Sequence, residues 1–289
     1  MTATASSLPQ RRRRRKRLAK AGWNLVGIGV FVVMAFPVFW MVSTALKSGK
    51  EINSYTPKWI PANATLANFR SAIDTPYFWS SVKNSLIVVL VTVALSLVLA
   101  FLAAVALAKF RFSGRKVFIL MMIVIQMLPA NALIIPLYVL LARYHQTGRL
   151  TGVIITYLTF VLPFSIWTLR GFIMGIPRDL EEAAMVDGNT RVGAFLKILL
   201  PLVMPGLVAT SVFAFIQAWN EFIFAYILLT DSQKQTLTVW LSGFYGTSRG
   251  TDWGGLMAAS TLTAIPVVVF FLLVQRRIAF GLTSGAVRG

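Results

Sequence analysis

Few side chains in this sequence are equipped for chemistry. The 289 residues include no cysteine and one histidine, His145, against nine acids and 28 lysines plus arginines. The lack of thiols excludes disulfide frameworks, thiolate-bound metals and cysteine nucleophiles. A single histidine leaves a His-based zinc site or a Ser-His-Asp triad almost no way to form within one chain. The pattern G-x-x-x-x-G-K-[ST] is absent, so the chain has no P-loop of its own for a nucleotide. No catalytic residue, metal ligand or resident cofactor is expected.

The polar groups that stand out do so by position. Glu221, preceded by Asn220, interrupts an apolar stretch, as do Gln126, Asn131 and Gln217. Four other acids, Asp179, Glu181, Glu182 and Asp187, crowd into one short segment. What these groups do depends on the elements that carry them. Apolar residues make up 57% of the chain and charged residues 13%, whereas soluble domains average about 45–50% and about 25%. That balance excludes an ordinary soluble enzyme. The formal charge of +19 would suggest nucleic acid in a soluble chain, but the apolar majority points to a membrane first.

A bilayer core about 30 Å thick takes roughly 20 apolar residues of helix. Runs of that kind occur at Trp23–Leu46, Leu86–Ala108, Val117–Ala142, Val153–Leu169, Leu202–Thr230 and Gly254–Val274. The expectation is an all-α integral membrane protein with six transmembrane helices. It would comprise a basic segment (1–22), a six-span body (23–275) and a tail (276–289). Pro129, Pro136 and Pro163 should kink or unwind the third and fourth spans, which is tolerated where broken backbone faces a cavity. An even number of spans puts both termini on one side. Basic residues near span ends stay in the cytoplasm, and placing the N-terminus there puts 19 of the 28 inside. Both termini are therefore expected to be cytoplasmic. The run Arg11–Arg17 orients the chain and suits anionic lipid, a better reading than RNA binding. A cleaved signal peptide fits poorly too, because its apolar region is usually about 7–15 residues.

Between spans, Lys47–Lys83 is turn-rich, holds too little apolar residue for its own core, and should form a small outer cap. Ser232–Trp253, rich in Gly, Ser and Thr, reads as an outer loop with room for one short helix. His145 reads as a surface residue of another outer loop. The inner segment Arg170–Pro201 is different. Pro177 stops the preceding helix, Asp179 and Glu182 have the spacing of a capping box, and Glu181 and Glu182 suit the positive end of a helix dipole. Ala183 and Ala184 keep part of that helix small. Asp187-Gly188-Asn189 is a turn signal, with Gly188 free to take positive φ. A second helix from Thr190, with Val192, Phe195, Leu196 and Leu199 at helical spacing, should end at Pro201. Such a loop suits a groove on another protein, although simple capping and rest on the membrane surface would account for it equally.

Glu182, Ala183, Ala184, Gly188, Ile198, Leu200 and Pro201 resemble the Glu-Ala-Ala signature of the permease subunits of ATP-binding-cassette importers. In that family the loop, here 177–201, is a cytoplasmic coupling helix that sits in a cleft of the ATPase. Pro57-Lys58-Trp59-Ile60-Pro61, Thr65-Leu66-Ala67-Asn68-Phe69, Asn84-Ser85-Leu86, Phe110-Arg111-Phe112-Ser113-Gly114 and Trp219-Asn220-Glu221-Phe222 are similar to the carbohydrate, maltose-type branch. The end, Gln275-Arg276-Arg277 and Gly281–Gly289, resembles its second permease subunit. The resemblance implies sugar import by alternating access, with Glu182, Ala183, Ala184, Gly188, Ile198 and Pro201 taking up the ATPase stroke. It further implies a homologous permease partner, two ATPase subunits that use the ATP, an extracytoplasmic sugar-binding protein and surrounding membrane lipid, with no nucleic acid.

Ionisable groups in a bilayer are costly unless they face protein or water. Asn131, Asn220 and Glu221 are therefore candidates for a substrate path, with packing between helices as the commoner outcome for such residues. Trp40, Trp167 and Trp240 suit anchoring better than sugar stacking. The competing readings are a permease for another small polar solute such as a phosphorylated polyol, a non-transporting membrane scaffold, and an intramembrane enzyme. The last would need paired acids, a Ser-Lys dyad or a metal cluster at depth, where Glu221 stands alone.

Overall fold

The computed structural model describes the backbone of residues 8–245 and 251–285 and the side chains of residues 20–245 and 251–275. These residues contain helices and turns and no strand. In chain order the helices are α1 (Leu8–Ala45), α2 (Gly49–Ile52), α3 (Ala67–Asp74), α4 (Phe78–Lys109), α5 (Arg115–Met127), α6 (Ile134–Arg143), α7 (Leu150–Met174), α8 (Asp179–Val186), α9 (Arg191–Ala194), α10 (Leu200–Asn220), α11 (Ile223–Leu228), α12 (Leu237–Ser242) and α13 (Trp253–Gly285). The chain divides into two compact units, 1–72 with 252–261 and 73–251 with 262–289.

In the first unit the turn-rich segment expected as a cap is tied to the end of α1. Trp59 packs on Phe36 and Trp40, with ring centroids 5.6 and 6.0 Å away, and its carbonyl accepts from Ser43 Oγ at 2.7 Å. The Lys47 ammonium lies 4.3 Å from the Trp40 ring centroid and donates to the Lys58 carbonyl. Asn68 Nδ2 donates to the carbonyls of Ala45 (2.9 Å) and Lys47 (2.8 Å), which the end of α1 leaves without helical partners. A Cβ on Gly254 would come within 2.7 Å of Asn68 Oδ1, so the start of α13 needs a glycine there. Turn residues thus form an ordered cap without an apolar core, because side-chain amides and one tryptophan supply the contacts. The basic run Arg11–Arg17 is helical in its backbone, its side chains lying outside the described residues.

The core of the second unit lies where α4, α5, α7 and the start of α10 meet. Ala100, Phe101, Ala104, Leu107, Met122, Ile166, Leu169, Ile173, Leu199 and Val203 are buried together. The close approaches are made by small residues, as expected where helices associate in lipid. Ser85, Ser96, Ala100 and Ala104 line the buried face of α4. On α10, a Cβ at Gly206 would stand 2.7 Å from Phe172 Cγ.

Among the described residues five helices are long and apolar enough to cross a membrane, and a bent pair brings the number to six. The expected third span, Val117–Ala142, is that pair: Arg115–Met127 and Ala130–Arg143 meet at 101°. Pro129 stands at the break and a 3-10 turn, Ala130–Leu133, follows it. Pro163 lies inside α7 without ending it. The expected fifth span, Leu202–Thr230, starts earlier, runs as one helix over Arg191–Asn220 and is interrupted at Glu221 and Phe222 before α11. The second loop helix therefore does not end at Pro201. The backbone widens into a π turn at Phe195–Leu199, where Leu200 N–H reaches back to the Phe195 carbonyl. A wider turn relieves the clash between a proline ring and the carbonyl four residues earlier, so the helix continues. At the far end α13 runs to Gly285, into the segment expected as tail; residues 286–289 lie outside the described ones.

Candidate functional site

Two places bring the singled-out residues together, and the first is the loop 177–201. The capping box does not form. Arg178 stands at the head of α8 in helical conformation with no side-chain cap, and its carbonyl accepts from the amides of Glu181 (3.0 Å) and Glu182 (3.2 Å). Helical backbone one residue earlier takes the place the Asp179 side chain would have capped. At the other end Gly188 has φ +88°. Asn189 N–H bonds to the Ala184 carbonyl at 3.0 Å and Gly188 N–H to the Met185 carbonyl at 3.1 Å, the paired bonds of a Schellman stop. Thr190 Oγ1 then caps α9, accepting from Gly193 N–H at 3.0 Å.

The two faces of α8 differ. Inward, the Glu181 carboxylate pairs with Lys109 Nζ at 2.6 Å, and Arg178 Nη2 donates to the Lys109 carbonyl at 3.3 Å. Ala184 is 6% exposed and is taken up in packing within the chain. Outward, Glu182, Ala183 and Gly188 are exposed, and Val186 is 87% exposed. Ile198 is half-buried and Pro201 exposed. The apolar row in the second half divides as well: Leu199 is buried and the Phe195 ring packs tilted against Phe101 at 5.2 Å between centroids, while Val192 and Leu196 remain open. One acid of the four is thus internal, and a mixed apolar and acidic face looks outward.

The second place is a cavity of about 290 Å³ at the broken spans, lined by Asn131, Tyr157, Phe160, Gln217, Asn220 and Glu221 among others. The three residues marked as path candidates therefore meet. Each arrives on irregular or terminal backbone: Asn131 on the 3-10 turn, Asn220 as the last residue of α10, Glu221 in the break. The carboxylate of Glu221 accepts from Phe224 N–H at 2.8 Å and Ala225 N–H at 3.1 Å. It thereby satisfies the first amides of α11, and its own carbonyl accepts from Thr238 Oγ1 at 2.8 Å. Asn220 Nδ2 bonds back to the Ile216 carbonyl at 3.0 Å, leaving its Oδ1 available. Gln126 is exposed and takes no part.

Tyr157 was not singled out by the sequence, where it reads as one more aromatic in an apolar run. It is buried, and its hydroxyl interacts with the Glu221 carboxylate without reaching good hydrogen-bond geometry, so a donor is left poorly used at the cavity wall. Asn84 and Ser85 gain a role too. Asn84 Nδ2 donates to the carbonyls of Gln233 (2.9 Å) and Gln235 (3.1 Å), and Ser85 Oγ accepts from Leu237 N–H at 2.7 Å. These bonds hold the segment that carries the short helix α12. Trp240, inside that helix, is buried and donates from Nε1 to the Pro76 carbonyl at 2.9 Å. Trp167 packs under Arg170, 5.7 Å from centroid to guanidinium carbon. His145 is exposed, with φ +53°. Among the described residues no His, Cys, Asp and Glu group could hold a metal ion.

Comparison with known proteins gives one consistent picture. The family of binding-protein-dependent transport system inner membrane components matches residues 96–284. The diacetylchitobiose uptake system permease protein of Streptomyces coelicolor is 42% identical over 266 residues, which cover 92% of this chain and 96% of that protein. The trehalose transport system permease protein of Mycobacterium tuberculosis is 36% identical over 268 residues, covering 92% and 97%. Among solved structures, a chain from a bacterial ABC transporter involved in the import of the acidic polysaccharide alginate superposes with a TM-score of 0.78 at 22% identity, covering 95% of this chain and 99% of that one.

Proposed function

Because this chain belongs to the binding-protein-dependent transport system inner membrane components, we propose that it is the second permease subunit of an ATP-binding-cassette importer carrying a di- or oligosaccharide into the cytoplasm. The observation that carries this reading is the two-faced loop. Its inner face is locked to the chain by Lys109–Glu181 and by buried Ala184, while its outer face presents Glu182, Ala183 and Val186 with no partner among the described residues. Leu180, Met185, Val186, Val192 and Leu196 are exposed on this one short loop beside Glu182 and Asp187, and exposed apolar side chains grouped within a polar rim suit a docking surface for another protein. The partners are a homologous permease, two cytoplasmic ATPase subunits and an extracytoplasmic sugar-binding protein, with lipid around the spans. ATP is used by the ATPase subunits, and this chain supplies neither cofactor nor catalytic group. Both termini face the cytoplasm, following the distribution of basic residues.

The cavity supports the cargo path. At about 290 Å³ it sits at the small end of ligand pockets, which run about 300–1,000 Å³. That suits one wall of a path completed by the second permease. The amides of Asn131 and Asn220 and the Tyr157 hydroxyl are the neutral donors and acceptors that sugar hydroxyls use, and Phe160 offers a flat apolar face. A disaccharide-sized cargo accords with the names of the two relatives. The test has two arms. A cysteine at Ala183, facing outward, should crosslink to the ATPase in the assembled complex and respond to ATP, whereas one at Ala184 should not. Reconstitution with the partners against mono-, di- and oligosaccharides then identifies the cargo. Absence of any Ala183 crosslink refutes the docking role, and uptake of a non-sugar solute alone refutes the cargo.

A further inference from the structure

A second cavity, of about 590 Å³, opens at the proposed cytoplasmic ends of the spans and is walled by Arg111, Arg115, Lys116 and Arg170 together with Phe112 and Val117. No carboxylate lines it. The four cations come from separate places: the loop after α4, the start of α5 and the end of α7. Their existing bonds leave them underused. Arg170 Nε is buried with no hydrogen-bond partner, Arg115 makes one long bond of 3.4 Å to the Phe110 carbonyl, and Arg111 and Lys116 donate to nothing among the described residues. The first turn of α5 adds to the positive field. It follows Gly114 at φ +88° with no side-chain cap, and the amides of Lys116 and Val117 find no acceptor among the described residues. Four like charges gathered without a counter-ion repel one another, so the site is complementary to an anion.

We propose that this cavity holds the phosphate headgroup of an anionic membrane lipid. The surface beside it selects that source over a soluble phosphate. Phe112, Val117, Phe118 and Leu120 are all more than two-fifths exposed and continue from the cavity along α5. A ligand with an anionic head and an apolar tail covers both surfaces at once. Basic pockets between spans on the cytoplasmic side take such headgroups. The residues that wall this site differ from the orienting run Arg11–Arg17 and from the sugar-path candidates, and the proposal does not depend on what the importer carries.

The test uses the full chain in neutral detergent, titrated with phosphatidylglycerol, phosphatidylcholine and inorganic phosphate and read by native mass spectrometry. Arg111→Gln with Lys116→Gln removes two exposed cations that support no internal bond, and circular dichroism verifies the fold. Each cation near an anionic headgroup contributes about fivefold in affinity, so this pair should weaken phosphatidylglycerol binding about thirtyfold. Lys83→Gln with Arg149→Gln removes the same charge at the far ends of α4 and α7 and should leave binding within about twofold, because distant exposed charges are screened. Equal binding of phosphatidylcholine, or equal loss in the two double variants, overturns the proposal. Inorganic phosphate binding that phosphatidylglycerol does not displace overturns the lipid source.

Discussion

Gly188 is where the loop's geometry depends on one residue type, which makes it the sharpest place to test the coupling role. Its φ of +88° lies in the left-handed region, yet an added Cβ would meet nothing within 4 Å. Substitution therefore costs backbone strain with no steric contribution. That strain is about 1–2 kcal/mol for an L-residue, least for Asn and more for a β-branched side chain. If the turn instead relaxes to right-handed backbone, the bonds from Asn189 to Ala184 and from Gly188 to Met185 are lost and the direction of α9 changes. A whole domain is stable by about 5–15 kcal/mol, so the fold survives. A surface loop opens locally at far lower cost, and 1–2 kcal/mol shifts its native-to-open ratio roughly 5- to 30-fold. Sugar uptake and ATP hydrolysis in proteoliposomes of the assembled importer should separate. Hydrolysis persists while uptake falls in the order wild type, Gly188→Asn, Gly188→Ala, Gly188→Val, at unchanged expression and melting temperature. Wild-type uptake by Gly188→Val would refute the reasoning, and so would a Gly188→Asn variant as damaged as Gly188→Val.

Three other substitutions separate structural from transport roles. Glu221→Ala removes the acceptor for two α11 amides and should destabilise the complex by roughly 1–3 kcal/mol, seen as a lower melting temperature in detergent, with Glu221→Gln losing about half as much; equal stability of all three proteins would show that the carboxylate is not a structural cap. Gly206→Ala forces a Cβ against the Phe172 ring and should cost about 1–3 kcal/mol, recovered in large part by adding Phe172→Ala; no rescue would place the strain elsewhere. Asn84→Ala frees two carbonyls of the outer loop and should weaken the binding protein's association severalfold with little change in basal ATP hydrolysis, as measured by surface plasmon resonance on the reconstituted complex.

The spans were legible because bilayer thickness sets helix length, a constraint that composition alone reveals. The loop was legible in outline because Gly188 and the proline positions are local signals. What stayed hidden depends on contacts distant in sequence. Asp179 and Glu182 have capping-box spacing, but spacing does not say where the preceding backbone turns helical, and Arg178 does so first. Ala183 and Ala184 are chemically identical, and only the packing of α8 against later parts of the loop decides that Ala184 is the buried one. Tyr157 is silent in sequence because its hydroxyl gains meaning from Glu221, 64 positions later in the chain. Pro201 misled in an instructive way: proline marks a helix end only if the ladder cannot adapt, and one π turn at Phe195–Leu199 lets it adapt.

That adaptation gives the molecule a mechanical simplicity. Arg191–Asn220 is one helix of 30 residues, about 45 Å long at 1.5 Å per residue. Its first residues belong to the loop that presents Glu182 and Ala183, and its last residue lines the cavity beside Glu221. In the proposed cycle a displacement imposed at the loop reaches the cargo path along one rod, with no relay of side chains required. Two departures from regular helical bonding flank its straight stretch, the π turn at Phe195–Leu199 and the break at Glu221 just past its end. In the proposed cycle the π turn would yield at the end toward the ATPase, where the hydrogen-bonded turn is already wide. The break at Glu221 yields at the cavity end, where the carboxylate holds α11 by two bonds and Thr238 ties the Glu221 carbonyl to the outer loop. The outer loop is itself anchored by Asn84 and Ser85 on α4. In the proposed cycle this helix, regular between those two places, would link binding-protein contact on the loop bearing α12 to ATPase closure at the loop 177–201.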